Sequence, residues 1–246
     1  MKWAGAVLAL LETFFNWISI RRRSCSWLDM SEIDAIISDT FLEACRVYTI
    51  MKQIVNSIRG LGRGSVCTPR QFLDLGSRAA VDQALSRLVR RGILQRIGRG
   101  LYHYPKRSPR LGDLAPAPDA VARAYARKTG STLQVSGAQA ANALGLSTQV
   151  PARATFVTDG ATRELRVGSQ VVFLRRAAPR RLAGAGTPWG TALQALAYLG
   201  KGGVDTRVIQ RLRRALSPSD RRALGRHAGV APDWMRPVIA QLAGRP

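Results

Sequence analysis

One stretch, Ser77–Pro105 (SRAAVDQALSRLVRRGILQRIGRGLYHYP), restricts what this chain can fold into more than any other. Ser77 follows Gly76, and its hydroxyl can accept from the free N–H groups of a first helical turn. Val81, Leu85, Leu88 and Val89 then recur at helical spacing as one apolar stripe, while Gln83, Ser86, Arg87 and Arg90 share the opposite face. Arg90 and Arg91 occupy a last turn, where positive charge suits the helix dipole, and Gly92 is a natural terminator. Two β-rich runs follow, Ile93–Ile97 and Leu101–Tyr104, joined by Gly98-Arg99-Gly100, which is a hairpin signal. A basic-faced helix running straight into an Arg-tipped hairpin is the order of a winged helix-turn-helix, recognition helix before wing.

The preceding residues agree. Lys52–Leu61 reads as a first helix with Ile54, Val55, Ile58 and Leu61 on its apolar side. Thr68-Pro69 is a cap followed by proline at the first helical position, opening a short helix through Leu75 with core contacts from Phe72, Leu73 and Leu75. In such a domain the recognition helix enters the major groove with its N-terminal residues nearest the base edges. The residues expected to meet double-stranded DNA are therefore Ser77, Arg78, Gln83, Ser86, Arg87 and Arg90 on the helix, with Arg96 and Arg99 on the wing. The competing reading is a small basic domain whose arginines only solvate one face.

Charge supports a polyanionic partner. The 246 residues carry a formal net charge of +23, nearly all of the excess being arginine, and a field of that sign attracts nucleic acid or an anionic membrane. Apolar residues make up 46% of the chain, enough to bury a core rather than form a disordered basic tail. Cys25, Cys45 and Cys67 have neither CxxC nor Cys/His spacing, so no zinc site or disulfide framework is indicated and a reducing, cytoplasmic setting fits.

The first fifty residues differ in composition. They hold five basic and six acidic residues, three of the five tryptophans, one glycine and no proline, leaving residues 51–246 with a net +24. Trp3–Ile20 is apolar apart from Glu12, Thr13, Asn16 and Ser19, but a membrane anchor usually needs ~20 residues with almost no charge. No signal-peptide cleavage site is visible either. Residues 1–50 thus read as an atypical extension, with Met51 as the expected start of the working protein and an amphipathic, membrane-associated helix as the rival.

After the wing, residues 107–118 read as an extended proline-rich linker. In residues 119–246, Asp119 caps a helix over Ala120–Thr129 with Arg123, Arg127 and Lys128 outward. A strand at Thr132–Val135 and a small-residue helix at Gly137–Leu144 follow. Three further strands, Ala154–Thr158, Arg163–Val167 and Gln170–Arg175, are separated by Asp159-Gly160 and Gly168-Ser169, which predicts an antiparallel meander. The remainder is helical: Trp189–Leu199, Asp205–Leu216 with Arg207, Arg211 and Arg214 outward, Ser217 to about His227, and Pro232–Leu242. The fold class is α+β, a winged helix-turn-helix followed by a mixed domain with a small antiparallel sheet and a helical C-terminus.

Catalytic arrangements are not recognisable. Of the two histidines, His103 sits between Tyr102 and Tyr104, where a structural or phosphate-facing role fits better than catalysis. Gly60–Gly64 lacks the Lys-Ser/Thr of a phosphate-binding loop. Asp159 with Glu164-Leu165-Arg166 only faintly matches a metal-dependent nuclease pattern, because arginine replaces its lysine. The expectation is a protein that is not an enzyme and takes no cofactor or metal.

The run from Thr68-Pro69 through Phe72-Leu73 to Leu75-Gly76-Ser77-Arg78-Ala79-Ala80-Val81-Asp82-Gln83-Ala84-Leu85, followed by Gly100-Leu101-Tyr102-His103-Tyr104-Pro105, resembles the AbiEi-type antitoxins of type IV toxin–antitoxin (abortive infection) systems. The runs Pro118–Ala124, Ser147–Ala152 and Tyr198-Leu199-Gly200 extend the resemblance from about residue 51 to the end. It implies a winged-helix domain (51–106) that represses the antitoxin's own operon and a C-terminal domain (119–246) that neutralises a nucleotidyltransferase-like toxin. The expected partners are the operator duplex and that toxin, with membrane association not expected. The alternative is a solitary winged-helix transcriptional regulator with a sensing C-terminal domain.

Overall fold

The computed structural model describes residues 30–149 and 151–244, with side chains from Cys45 onward. The Trp3–Ile20 segment lies outside the described residues. The chain divides into two compact units, residues 1–49 and 50–246. In the first, the Thr49 hydroxyl donates to the Cys45 carbonyl at 3.0 Å. The helix expected over Lys52–Leu61 is the last part of a longer one, α1 (Met30–Leu61). Nothing in the sequence stops that helix at Met51, since no proline or glycine stands between Met30 and Arg59. Ile54 and Ile58 are buried as expected, but Leu61 is exposed at the helix end.

After α1 the second unit continues with β1 (Val66–Cys67) and a single 3-10 turn, Pro69–Phe72, in place of the helix expected through Leu75. The Gln71 side chain accepts from the Thr68 N–H at 2.9 Å, closing that turn on itself. Pro69 and Phe72 are buried within the turn, whereas Leu73 beyond it is exposed, so the segment lacks the continuous apolar face that would hold a second turn. Helix α2 (Arg78–Arg90) begins as predicted: the Ser77 Oγ accepts from the Ala80 N–H at 3.3 Å. Its stripe of Val81, Ala84, Leu85 and Leu88 is fully buried. Strands β2 (Gln95–Gly98) and β3 (Leu101–His103) form the hairpin, with Arg99-Gly100 at its tip and Gly100 at φ +66°. β1 adds to the other side of β3, giving a three-stranded sheet of order β1-β3-β2.

Residues 107–118 do not form the extended linker expected of them. β4 (Lys106–Ser108) and β5 (Gly112–Leu114) make a tight hairpin in which Arg107 opposes and pairs with Asp113 at 2.9 Å. Gln95 of β2 also donates to Asp113 at 2.8 Å. Helix α3 (Pro118–Thr129) starts one residue before Asp119. Proline occupies its first turn, and Asp119 lies inside that turn paired with Arg123 at 2.7 Å instead of capping it.

β6 (Leu133–Val135) and α4 (Gly137–Ala143) lead to β7 (Ala154–Thr158), β8 (Arg163–Val167) and β9 (Gln170–Arg176). The sheet is not a meander. Its order is β6-β7-β9-β8, with β9 parallel to β7 and antiparallel to β8. Gly168-Ser169 is a genuine two-residue hairpin turn, but Asp159-Gly160 is not. The Asp159 carboxylate accepts from the Thr132 N–H at 2.8 Å, so its turn chemistry fastens the approach to β6. Strand composition sets the order: Val172 and Leu174 suit an interior position, while Arg163, Glu164 and Arg166 suit an edge.

One core joins the front and back of this unit. Val66 and Leu101 of the first sheet pack with Val121, Ala122 and Ala124 of α3 and with Phe156, Val172 and Leu174 of the second sheet. A second core gathers α5 (Pro188–Leu199), α6 (Thr206–Ala215), α7 (Pro218–Arg226) and α8 (Arg236–Ala243) around Leu196, Leu212, Leu224, Met235 and Ile239. The chain is thus α+β, with small sheets and a helical C-terminal part. No described helix is long and apolar enough to cross a membrane.

Candidate nucleic-acid interface

Helix α2 presents one polar face. Its buried stripe leaves Arg78, Gln83, Ser86 and Arg90 exposed and Arg87 half-buried. Ser77 stands at the N-terminus, its hydroxyl engaged in capping. Arg78 is partly spoken for, since its Nε donates to Asp82 at 2.8 Å. Both side chains of that pair are solvent-exposed, so it contributes at most about 1 kcal/mol and a phosphate could displace the carboxylate.

The β2–β3 hairpin places Arg96 outward on β2 and Arg99 at its tip. Arg96 lies opposite Tyr102, whose phenol is pushed up chiefly by burial, with Arg96 opposing the shift. The charges of Asp82 and Arg78 also act on the Tyr102 phenol, the first raising and the second lowering it. All eight sequence-predicted residues therefore belong to one contiguous piece of the second unit.

Sequence reading missed how α3 enters this surface. Lys128 Nζ donates to the Arg99 carbonyl at 2.6 Å, tying the last turn of α3 to the tip of the β2–β3 hairpin. Gly100 at the tip supplies the positive φ of +66° that the turn needs, and the Lys128 side chain packs beside it. Burial holds the Lys128 ammonium below its usual value, and the charges of Arg99, Arg163 and Arg78 push in the same direction. Lys128 Nζ and the Arg163 guanidinium each lie 5.9 Å from the centre of the Tyr125 ring. Arg127 donates from Nη2 to the Val66 carbonyl at 3.1 Å. Arg127 and Lys128 were visible as cations on a helix, but only the tertiary fold joins them to residues 29 and 61 positions earlier.

The other sequence candidates are accounted for structurally. His103 is fully buried, and neither ring nitrogen has a hydrogen-bond partner. Glu164 pairs with Arg166 at 2.6 Å, and the Asp159 carboxylate accepts from the Thr132 N–H at 2.8 Å. Among the described residues no cluster of three or more His, Cys, Asp or Glu is arranged to hold a metal ion.

Fold and surface thus define an α+β chain with a dense arginine–lysine face on a helix and hairpin. The chain belongs to a family of unknown function, DUF6088, whose model matches residues 53–224. Among solved structures it is similar to the RV2827C protein from Mycobacterium tuberculosis, at 17% identity and a TM-score of 0.37, over 80% of this chain and 76% of that one. No curated protein matches it.

Proposed function

We propose that this protein is a cytoplasmic DNA-binding antitoxin that represses its own operon. In this reading residues 51–106 work as a winged helix-turn-helix, with α2 in the major groove and the β2–β3 hairpin as the wing. The observation that carries it is the clustering of Arg99, Lys128 and Arg163, with Lys128 donating to the Arg99 carbonyl at 2.6 Å and Lys128 and Arg163 each 5.9 Å from the Tyr125 ring, in a unit whose helix α2 exposes Arg78, Gln83, Ser86 and Arg90. Like charges this close repel, and a phosphate backbone relieves that repulsion while Gln83, Ser86 and Arg87 remain free to meet base edges. The β1-β3-β2 sheet beside α2 supports the wing assignment. The antitoxin part rests on the resemblance of the residue runs to AbiEi-type proteins, and implies a nucleotidyltransferase-like toxin as second partner. The protein acts by binding and not by catalysis.

Fluorescence anisotropy against the duplex upstream of the protein's own reading frame, beside a scrambled duplex, tests the DNA half. The expected result is tighter operator binding by at least about a thousandfold at physiological salt. Equal affinity for both duplexes would remove the repressor reading. Co-expression with the adjacent reading frame tests the other half, through growth rescue.

A further inference from the structure

A second basic concavity lies on the face of the β6-β7-β9-β8 sheet opposite α3. Thr155 of β7 lies opposite Phe173 of β9, and Val157 lies opposite Arg175. Alternation along the strands puts these side chains on the side away from the buried Phe156, Val172 and Leu174. Ser136 and Gly137 at the start of α4 and Gln194 and Tyr198 of α5 complete a cleft of about 320 Å³. Arg153, Arg175, Arg176 and Arg181 line it, and no acidic residue does. None of the four belongs to an ion pair among the described residues.

The cleft is held in shape by its walls. A Cβ on Gly137 would lie 2.6 Å from the Tyr198 Cβ and 2.9 Å from the Gln194 carbonyl, so α4 and α5 are packed as closely as backbone permits. Gln194, itself buried, donates to the Arg181 carbonyl and anchors the segment that carries that arginine. The Arg153 guanidinium lies 5.4 Å from the centre of the Phe173 ring. At the rim, the Tyr198 ring is half-exposed and offers an aromatic face.

We propose that this cleft binds a nucleoside triphosphate, its phosphates held by Arg153, Arg175, Arg176 and Arg181 and its base laid against Tyr198. Arginine forks match phosphate oxygens in pairs, which a diffuse solvated surface does not require. A triphosphate carries about four negative charges at neutral pH, equal to the four guanidinium groups. The volume lies at the small end of ligand sites, ~300–1,000 Å³, which suits a polar ligand with its base at the rim. This site is separate from the α2–wing face and does not depend on the DNA reading.

Calorimetric titration of the full chain with ATP, and separately with inorganic tripolyphosphate, tests the proposal. ATP should bind saturably at one site. Arg175→Ala with Arg181→Ala should weaken it about tenfold or more. Arg207→Ala with Arg214→Ala, which removes the same charge from α6, should change it less than about twofold. Tyr198→Leu should weaken ATP severalfold and leave tripolyphosphate unchanged. Thermal melts of each variant establish that the fold survives. Equal losses in the two arginine pairs would overturn the site in favour of bulk charge. Indifference of ATP to Tyr198→Leu would remove the nucleoside. If random duplex DNA instead lost as much affinity as ATP in the Arg175 and Arg181 variant, the cleft would be a strand-binding surface and the proposal would fail.

Discussion

At the scale of single residues, the most consequential side chain is one that makes no polar contact. His103 is fully buried on the middle strand of the first sheet with both ring nitrogens unpartnered. Burial holds its pKa below the usual value, while Asp113 pulls weakly the other way. The folded protein therefore keeps the imidazole neutral, whereas the unfolded chain takes up a proton below about pH 6.5. The sign follows: this contribution to stability is present above that pH and is lost as pH falls through it towards the lower folded-state value. Denaturant melts should show stability dropping between pH 7 and pH 5, with a shallower slope in His103→Leu. An unchanged slope would mean another group carries it. Cys67 is a second buried group, and desolvation pushes its thiol up to about 12. In a chain carrying Cys25→Ser and Cys45→Ser, Cys67 should resist a thiol reagent until denaturant is added. A third residue-scale constraint is steric. A Cβ on Gly190 would lie 2.0 Å from the Gly184 carbonyl oxygen, and Gly184 itself sits at φ +68° against the Trp189 ring. Gly190→Ala should therefore cost ~1–3 kcal/mol or more, read as a lower midpoint in urea.

At the scale of elements, caps and stripes were legible and strand order was not. Ser77 and Ser217 each accept from a backbone N–H in the first turn of the helix they precede, because that interaction is local, whereas Asp119, read as a cap in the same way, lies inside its helix and pairs with Arg123. The bounds of β7 and β8 match the alternation read from the sequence for the same reason. The parallel pairing of β7 with β9 was hidden, because Asp159-Gly160 has hairpin composition but spends its carboxylate on Thr132. The candidate site divides the same way. Gln83, Ser86, Arg87, Arg90, Arg96 and Arg99 followed from helical and hairpin spacing, while Lys128 and Arg163 joined them only through the shared core. A helix face and a wing should fail differently. Gln83→Ala or Arg87→Ala should narrow the gap between operator and scrambled duplex, since a paired contact to a base is worth ~1–3 kcal/mol of discrimination. Arg99→Ala should weaken both duplexes together and reduce the salt slope by about one unit. Titrations at several salt concentrations separate the two. If Arg99→Ala cost specificity and the helix variants cost only general affinity, the helix and wing assignments would be reversed.

At the scale of the whole molecule, charge is distributed along the full length of the second unit and is not confined to α2 and the hairpin. Residues 51–246 carry a net +24, and much of it lies far along the chain from α2. Helix α6 concentrates it. Ile209 and Leu212 face the helical core, while Arg207, Arg211 and Arg214 are exposed. The three arginines are not equivalent, because Arg211 donates to the Gly145 carbonyl and ties α6 to the loop after α4. Arg207 and Arg214 have no such tie, and with Val208, Gln210 and Arg211 they line a shallow concavity. A charged helix face is often only solvated, but under the proposed antitoxin role it is also a surface that a toxin with an acidic face can meet. Arg207→Glu with Arg214→Glu tests whether this is that surface. Both side chains are exposed, so the fold should survive with a melting midpoint near that of the parent. Random-duplex affinity should fall with the lost charge, but the ratio of operator to random binding should not change if, as proposed, base readout belongs to α2. Growth rescue against the co-expressed toxin should be lost. Rescue at the parental level would return these arginines to solvent and move the toxin contact elsewhere. Loss of rescue together with loss of the operator ratio would show that the two ends of the unit act as one surface.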